Sequence, residues 1–287
     1  MAKIEIAEEA GMCFGVARAL ELAEKAAREA EGPVSTLGPL IHNPQVVADL
    51  ERKGVGVATT PKGPAGSTLI IRAHGVVPEA YEEAKAAGVH IVDATCPYVM
   101  KVHALAEKLH REGYTVLVLG ERGHAEVEGT LGHAPGALVV NGADDVESAY
   151  AEGLLTKRAG LVVQTTQTQA KLREVVSALA CRTEELRVYN TICEATENRQ
   201  KAAATLASSA DVMVVIGGRN SANTTHLAEI CSAHCARTYH IEDVGELNEV
   251  WFQNVQRIGI TAGASTPQSQ IEAVRQKIES FMAREES

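Results

Sequence analysis

The sequence predicts an α/β protein made of three similar modules with mainly parallel sheets, set around a pseudo-threefold axis. Three observations predict it. At 287 residues the chain exceeds the size at which one simple core is comfortable. A strand, a cysteine and a helix follow one another three times, at Cys13, Cys96 and Cys193. A strand ending in glycine then follows each helix, with Gly38, Gly120 and Gly217 lying 25, 24 and 24 positions after their cysteines.

Taken in order, KIEIAEEAGMC, VHIVDATC and LRVYNTIC read as strands running into the cysteines. FGVARALELAEKAAREA, PYVMKVHALAEKLHREG and EATENRQKAAATLASSA read as the helices that leave them. In the second copy Val99, Val102, Ala106 and Leu109 keep helical spacing, and Pro97 stands where a first-turn proline is tolerated. The glycine-ended strands are PVSTLG, TVLVLG and VMVVIG, and four residues beyond each glycine stand His42, His124 and Ser221. A further strand follows (GVGVAT, ALVVNG, RTYHIE), then a last one with a polar tip: LIIRAHG with His74, LVVQTTQ with Thr165, GITAGAS with Ser265. The expected modules are residues 14–96, 97–193, and 194–287 plus 1–13, the N-terminal segment supplying the strand that the third copy lacks. Parallel sheets built this way gather ligand sites at the carboxyl ends of their strands.

Composition narrows the partners. A net charge of −10 gives no basic footprint for nucleic acid, and 3% aromatic residues leave few platforms for stacked bases. No apolar run approaches membrane-spanning length, and MAKIEIAEEAG lacks the apolar core of a signal peptide. The expected setting is therefore cytoplasmic, with no membrane and no nucleic-acid partner. There the six cysteines, at 13, 96, 181, 193, 231 and 235, read as thiols or metal ligands, and none forms a Cys-x-x-Cys pair.

A thiolate at a helix N-terminus is stabilised by free amides and the helix dipole and is ready to bind metal. Three such thiolates suit zinc or an iron-sulfur cluster, and the residues alone do not separate the two. Cys181, Cys231 and Cys235 lack counterparts in the other copies and read as ordinary thiols; Cys231 and Cys235, one helical turn apart, remain a weaker metal candidate. His42, His74, Ser221, Asn223 and Ser265 are donors able to hold phosphate oxygens, although each taken singly also suits a cap or turn. His124 and Glu126 stand two apart, which in extended chain projects both to one side. A buried Glu126 would have the raised pKa that a proton donor near neutrality requires, with Glu128 as its exposed neighbour. No Walker loop and no G-x-G-x-x-G follows any strand.

GMCFGV, DATCPYVMKVH, GERGHAEVEG, VVQTTQT, ICEATENRQ, GGRNSANTTHL and GITAGASTPQS, in this order, resemble the 4-hydroxy-3-methylbut-2-enyl diphosphate reductases, the LytB or IspH family, over essentially the whole length. The resemblance implies a trefoil of three modules around a 4Fe-4S cluster held by Cys13, Cys96 and Cys193, with one iron open. It implies a small allylic diphosphate as substrate, held by His42, His74, Ser221, Asn223 and Ser265, with Thr165, Glu126 and His124 at its hydroxyl end and Glu126 delivering protons. Many relatives carry Ser where this chain has Ala222, so a hydroxyl contact would be replaced here by backbone N–H. The implied reaction consumes two electrons and two protons, releases water and yields isopentenyl and dimethylallyl diphosphate, with ferredoxin or flavodoxin as electron donor. Two other readings stand beside it: a non-redox hydratase or dehydratase, and a zinc-stapled phosphate binder.

Overall fold

The computed structural model describes residues 2–285. In chain order it contains β1 (Lys3–Ile6), α1 (Phe14–Glu29), β2 (Val34–Leu37), α2 (Pro44–Arg52), β3 (Val55–Ala58), β4 (Thr68–Ile71), α3 (Pro78–Ala86) and β5 (His90–Asp93). There follow α4 (Pro97–Arg111), β6 (Thr115–Leu119), α5 (Ala125–Gly132), β7 (Leu138–Val140), α6 (Ala143–Ala151), β8 (Arg158–Val163), α7 (Gln169–Ala180) and β9 (Glu185–Val188). The last copy has α8 (Glu194–Ala207), β10 (Val212–Ile216), α9 (Ala222–His234), β11 (Thr238–Ile241), two 3-10 turns, β12 (Arg257–Ala262) and α10 (Gln268–Glu285).

These strands form three four-stranded sheets in which every pairing is parallel, with orders β3-β2-β4-β5, β7-β6-β8-β9 and β11-β10-β12-β1. The three orders are the same order. In the third sheet the place of β5 and β9 is taken by β1, which pairs with β12 from Lys3↔Arg257 to Ile6↔Ile260. The chain divides into two compact units. One holds the stretch up to Phe14, the short segment His42–Pro44 and everything from Glu194 onward, and hence the third sheet; the other holds Gly15–Ile41 and Gln45–Cys193, and hence the first two sheets.

Parallel sheets are covered on both faces, so their central strands are apolar throughout rather than alternating. All five residues of β10 are buried. In β6 the alternation survives only as a choice of partner: Val116 and Val118 pack towards α4, whereas Leu117 and Leu119 pack with Val146, Leu172, Val175 and Leu179 of α6 and α7. In the second and third sheets the helix behind is fitted to the strand by volume. A Cβ added to Gly160 in β8 would lie 2.6 Å from Leu109 Cδ2, and one added to Gly259 in β12 would lie 3.0 Å from Leu206 Cγ and 2.3 Å from Met213 Sδ. Leu109 and Leu206 stand at the same distance from Cys96 and Cys193. At the matching place in the first copy the helix carries the small Ala26 and the strand Thr68, and both line a cleft of about 380 Å³ between helix and sheet.

Candidate functional site

Each of the three repeated cysteines stands directly before a helix, and each is half-buried. The main chain holds all three alike. Cys13 N donates to Ala264 O at 3.2 Å, Cys96 N to Ala73 O at 3.0 Å, and Cys193 N to Thr165 O at 3.0 Å. Each acceptor lies two residues past the end of β12, β4 or β8, so the thiol is tied to the carboxyl end of the neighbouring strand. Cys96 is the N-cap of α4 with φ −61° and ψ 134°, and Pro97 follows as the first helical residue. Arg199 carries no signal in the sequence, yet it is buried in α8 and its Nη2 donates to Gly11 O at 2.8 Å, bracing the loop two residues before Cys13. Gly11 needs the left-handed backbone there, at φ +103°.

The turns after β4, β8 and β12 correspond residue for residue: Gly75 N bonds Arg72 O, Gln167 N bonds Gln164 O and Thr266 N bonds Gly263 O, all at 3.0 Å. This register corrects the sequence count by one position. Thr165 corresponds to Ala73 and Ala264, whereas the counterpart of His74 and Ser265 is Thr166, whose Oγ1 accepts from Gln164 Nε2 at 2.9 Å. The sequence groups His74, Thr165 and Ser265 only as polar residues at the strand tips; the strand ends fix their phase.

Thr165 has a separate task. Its N–H donates to Glu126 Oε1 at 2.6 Å and its Oγ1 to Glu126 Oε2 at 2.7 Å. Glu126 is buried, and burial pushes its pKa up from 4.5 to about 7, outweighing the two Thr165 hydrogen bonds that favour the charged form. A carboxyl raised into that range has the proton affinity that a general acid near neutrality requires. The extended geometry expected for His124 and Glu126 is not what forms. His124 is the N-cap of α5, its Nδ1 accepting from Glu126 N at 3.2 Å, and Glu126 is the second residue of the helix. An imidazole nitrogen here does the work of an Asp or Ser cap. Glu128 is exposed and caps Gly123 N at 3.2 Å. The rings of His74 and His124 meet edge to face with centroids 5.6 Å apart.

In the other unit Ser221 is the N-cap of α9 and accepts from Thr224 N at 3.4 Å, so its capping role is real. Ala222 and Asn223 follow, both buried. Asn223 occupies the helix position that Glu126 occupies in α5, and neither Oδ1 nor Nδ2 of its amide finds a hydrogen-bond partner among the described residues. A buried amide left unsatisfied on both atoms is costly and marks a place where a ligand would complete the bonding. Ser265 Oγ donates to His42 O at 3.0 Å, and Asn43 Nδ2 donates to Ser265 O at 2.9 Å and to Gln270 Oε1 at 3.1 Å. These bonds explain why His42–Pro44 belongs with this unit although its neighbours in sequence do not. Sequence reasoning misses Asn43; the Asn-Pro pair before α2 is its only signal.

Cys231 and Cys235 lie in an apolar cluster with Leu227, Met213 and Val215. Burial, with Cys235 close by, pushes the Cys231 thiol up to about 12, which opposes the thiolate that a metal would need. Cys181 is exposed at the end of α7.

The structure is thus a repeated α/β fold with thiols at its helix starts and a buried, hydrogen-bonded carboxyl group at the carboxyl ends of parallel strands. The chain belongs to the LytB protein family, whose model matches residues 4–279. It is 46% identical over 283 residues to the 4-hydroxy-3-methylbut-2-enyl diphosphate reductase of Aquifex aeolicus, covering 97% of this chain and 96% of that one. It is 47% identical over 279 residues to the enzyme of the same name from Geobacter sulfurreducens, covering 97% and 98%. Among solved structures it is similar to an (E)-4-hydroxy-3-methyl-but-2-enyl diphosphate reductase described as the terminal enzyme of the non-mevalonate pathway, at 45% identity and TM-score 0.71, covering 98% and 100% of the two chains. The E-1-hydroxy-2-methyl-but-2-enyl-4-diphosphate reductase from Plasmodium falciparum matches at 28% identity and TM-score 0.88, covering 96% and 87%. Among the described residues no helix is long and apolar enough to cross a membrane.

Proposed function

We propose that this chain is a 4-hydroxy-3-methylbut-2-enyl diphosphate reductase that removes the substrate hydroxyl reductively to give isopentenyl and dimethylallyl diphosphate. The observation that carries the reading is Glu126, a buried acid with a pKa of about 7 and both oxygens gripped by Thr165, in a chain 43–47% identical to relatives that bear this name.

The proposed cofactor is a 4Fe-4S cluster held by Cys13, Cys96 and Cys193. The donor set fits: three half-buried thiols, alike in backbone anchoring and each at a helix start, are the soft ligands such a cluster takes, and they leave one iron without a protein thiolate. When bound, the cluster supplies the electrons and a Lewis-acidic iron for the substrate oxygen. The chain's own residues do the rest in this reading. Glu126 gives up the proton held on its carboxyl oxygens, so that the departing hydroxyl leaves as water, and the Thr165 hydroxyl holds that carboxyl and the substrate hydroxyl in line. His42, His74, Ser221, Asn223 and Ser265 receive the diphosphate, helped by the N–H groups at the start of α9 where Ala222 stands. The Asn223 amide supports this assignment because it has two hydrogen bonds still to make. His124 orients the first turn of α5.

The same reading keeps residues 14–96, 97–193 and 194–287 plus 1–13 as three modules, sets the protein in a reducing cytoplasm where thiolate ligands persist, and takes ferredoxin or flavodoxin as electron source. The test is anaerobic turnover: with the allylic diphosphate and reduced methyl viologen, both isoprenoid diphosphates should form. Formation of a hydrated or dehydrated product without reductant would favour the non-redox alternative.

A further inference from the structure

A pair of buried histidines stands beside the acid's helix. His103 of α4 and His133 at the end of α5 stack with ring centroids 4.3 Å apart and planes at 22°. His103 is buried, and the Nε2 atoms of both rings make no hydrogen bond among the described residues. A leucine could fill such a place without stranding a polar edge, so the imidazole's shape is what the site uses.

That shape is pressed against two backbones. A Cβ on Gly75 would sit 2.5 Å from His103 Cε1 and 3.3 Å from its Nε2; a Cβ on Gly129 would sit 3.3 Å from Nε2 and 3.4 Å from Val76 N. Gly75, at φ +72°, closes the turn that carries His74, while Gly129 lies one turn beyond Glu126 on α5. Further along, a Cβ on Gly132 would strike Val77 at 2.6 Å, so α5 and the 75–77 segment meet through glycines, with the imidazole edge setting their spacing. His133 lies beside the Val76 backbone of the same segment. We infer that His103, stacked on His133, is a positioning residue: it fixes the separation between the His74 turn and the first turn of α5, and so the mutual placement of His74, His124 and Glu126.

His103 stays neutral. Burial and the neighbouring His133 hold His103 down to about 3, against the weaker upward pull of Asp93; burial also lowers His133, against Glu107 from α4 and Glu79 from α3. The spacer therefore keeps one charge state through the pH range in which Glu126 titrates, and pH affects the acid without loosening its support.

This inference rests on the acid role proposed for Glu126, and its test separates the two. Wild type, His103→Ala, Gly129→Ala, the double variant and Glu126→Gln are purified anaerobically, matched for iron content, and compared in kcat, KM, pH profile and Tm. Proton transfer is sensitive to displacements of about 1 Å, whereas the diphosphate has several other donors. His103→Ala should therefore lower kcat about tenfold and leave KM within about threefold. It should also move the alkaline limb of kcat to lower pH, because a looser α5 lets water reach Glu126. The methyl that Gly129→Ala adds refills part of the space, so the double variant should exceed His103→Ala in kcat, although Gly129→Ala alone crowds the ring and slows turnover. Wild-type kcat and an unmoved limb in His103→Ala would overturn the inference, as would losses that follow Tm alone. Should His103→Ala fail to fold, His103→Asn is read by the same criteria. An alkaline limb that persists in Glu126→Gln would remove the acid assignment and this inference with it.

Discussion

Replacing Thr165 by Val tests the electrostatics of the site without touching the acid itself. Glu126 Oε2 accepts from Thr165 Oγ1 at 2.7 Å, and that bond favours the charged carboxylate against the larger effect of burial. Valine keeps the volume and the backbone N–H bond at 2.6 Å but deletes the hydroxyl. A hydrogen bond to a charged group is worth about 1.5–3 kcal/mol, and one pKa unit about 1.36 kcal/mol, so the Glu126 pKa should rise by about 1 to 2 units. The assay is the protonated-carboxyl infrared band followed against pH without air, with the Glu126→Gln spectrum subtracted to isolate this group. Wild type should lose the band near pH 7, and Thr165→Val only at higher pH. A wild-type carboxyl already ionised at about pH 5, or a Thr165→Val shift downward, would refute the balance of burial against hydrogen bonding described here.

Glu126→Gln itself should retain iron and substrate binding while kcat drops by about 10² to 10⁴, the range for loss of a general acid; steady-state kinetics with a binding assay checks this. Because the folded pKa is raised, Glu126 favours the fold fully below about 4.5, and that contribution, on the order of 3 kcal/mol, is lost progressively as pH rises from about 4.5 through about 7. The Tm of Glu126→Gln relative to wild type should accordingly increase between about pH 5 and 7.5 and level off above that. Gly259→Ala would drive a methyl into Met213 and Leu206 and should destabilise by about 1–3 kcal/mol, read as a lower Tm with the site unaltered.

Much of the fold is legible because the sequence states it three times. Cysteine, helix and glycine-ended strand recur at nearly constant spacing, and the N-terminal strand has nowhere to pair except in the third sheet, where β1 lies beside β12. Periodicity does not supply the layer fit. That Gly160 faces Leu109 and Gly259 faces Leu206 emerges only once strand ends are aligned.

The site is legible as a set of residue types and less so as geometry. The spacing of Glu126 to His124 marks the acid but suggests an extended chain, because nothing marks histidine as a helix cap as plainly as Asp or Ser would. Polarity puts Thr165 in phase with His74 and Ser265; it stands one residue earlier, where its main chain serves both Cys193 and Glu126. Arg199, Asn43 and the His103–His133 pair leave little local signal, since each acts on backbone distant in sequence.

The proposed assignment of Cys13, Cys96 and Cys193 as ligands of an iron-sulfur cluster with one iron open is tested directly by metal analysis. Iron and acid-labile sulfide should be measured with an electronic spectrum on anaerobically purified wild type and on Ser variants of these three residues and of Cys181. Wild type and Cys181→Ser should be brown with about four iron and four sulfide each, and the other three variants should lose both. A colourless wild type carrying only zinc, or equal content in all four variants, would contradict it.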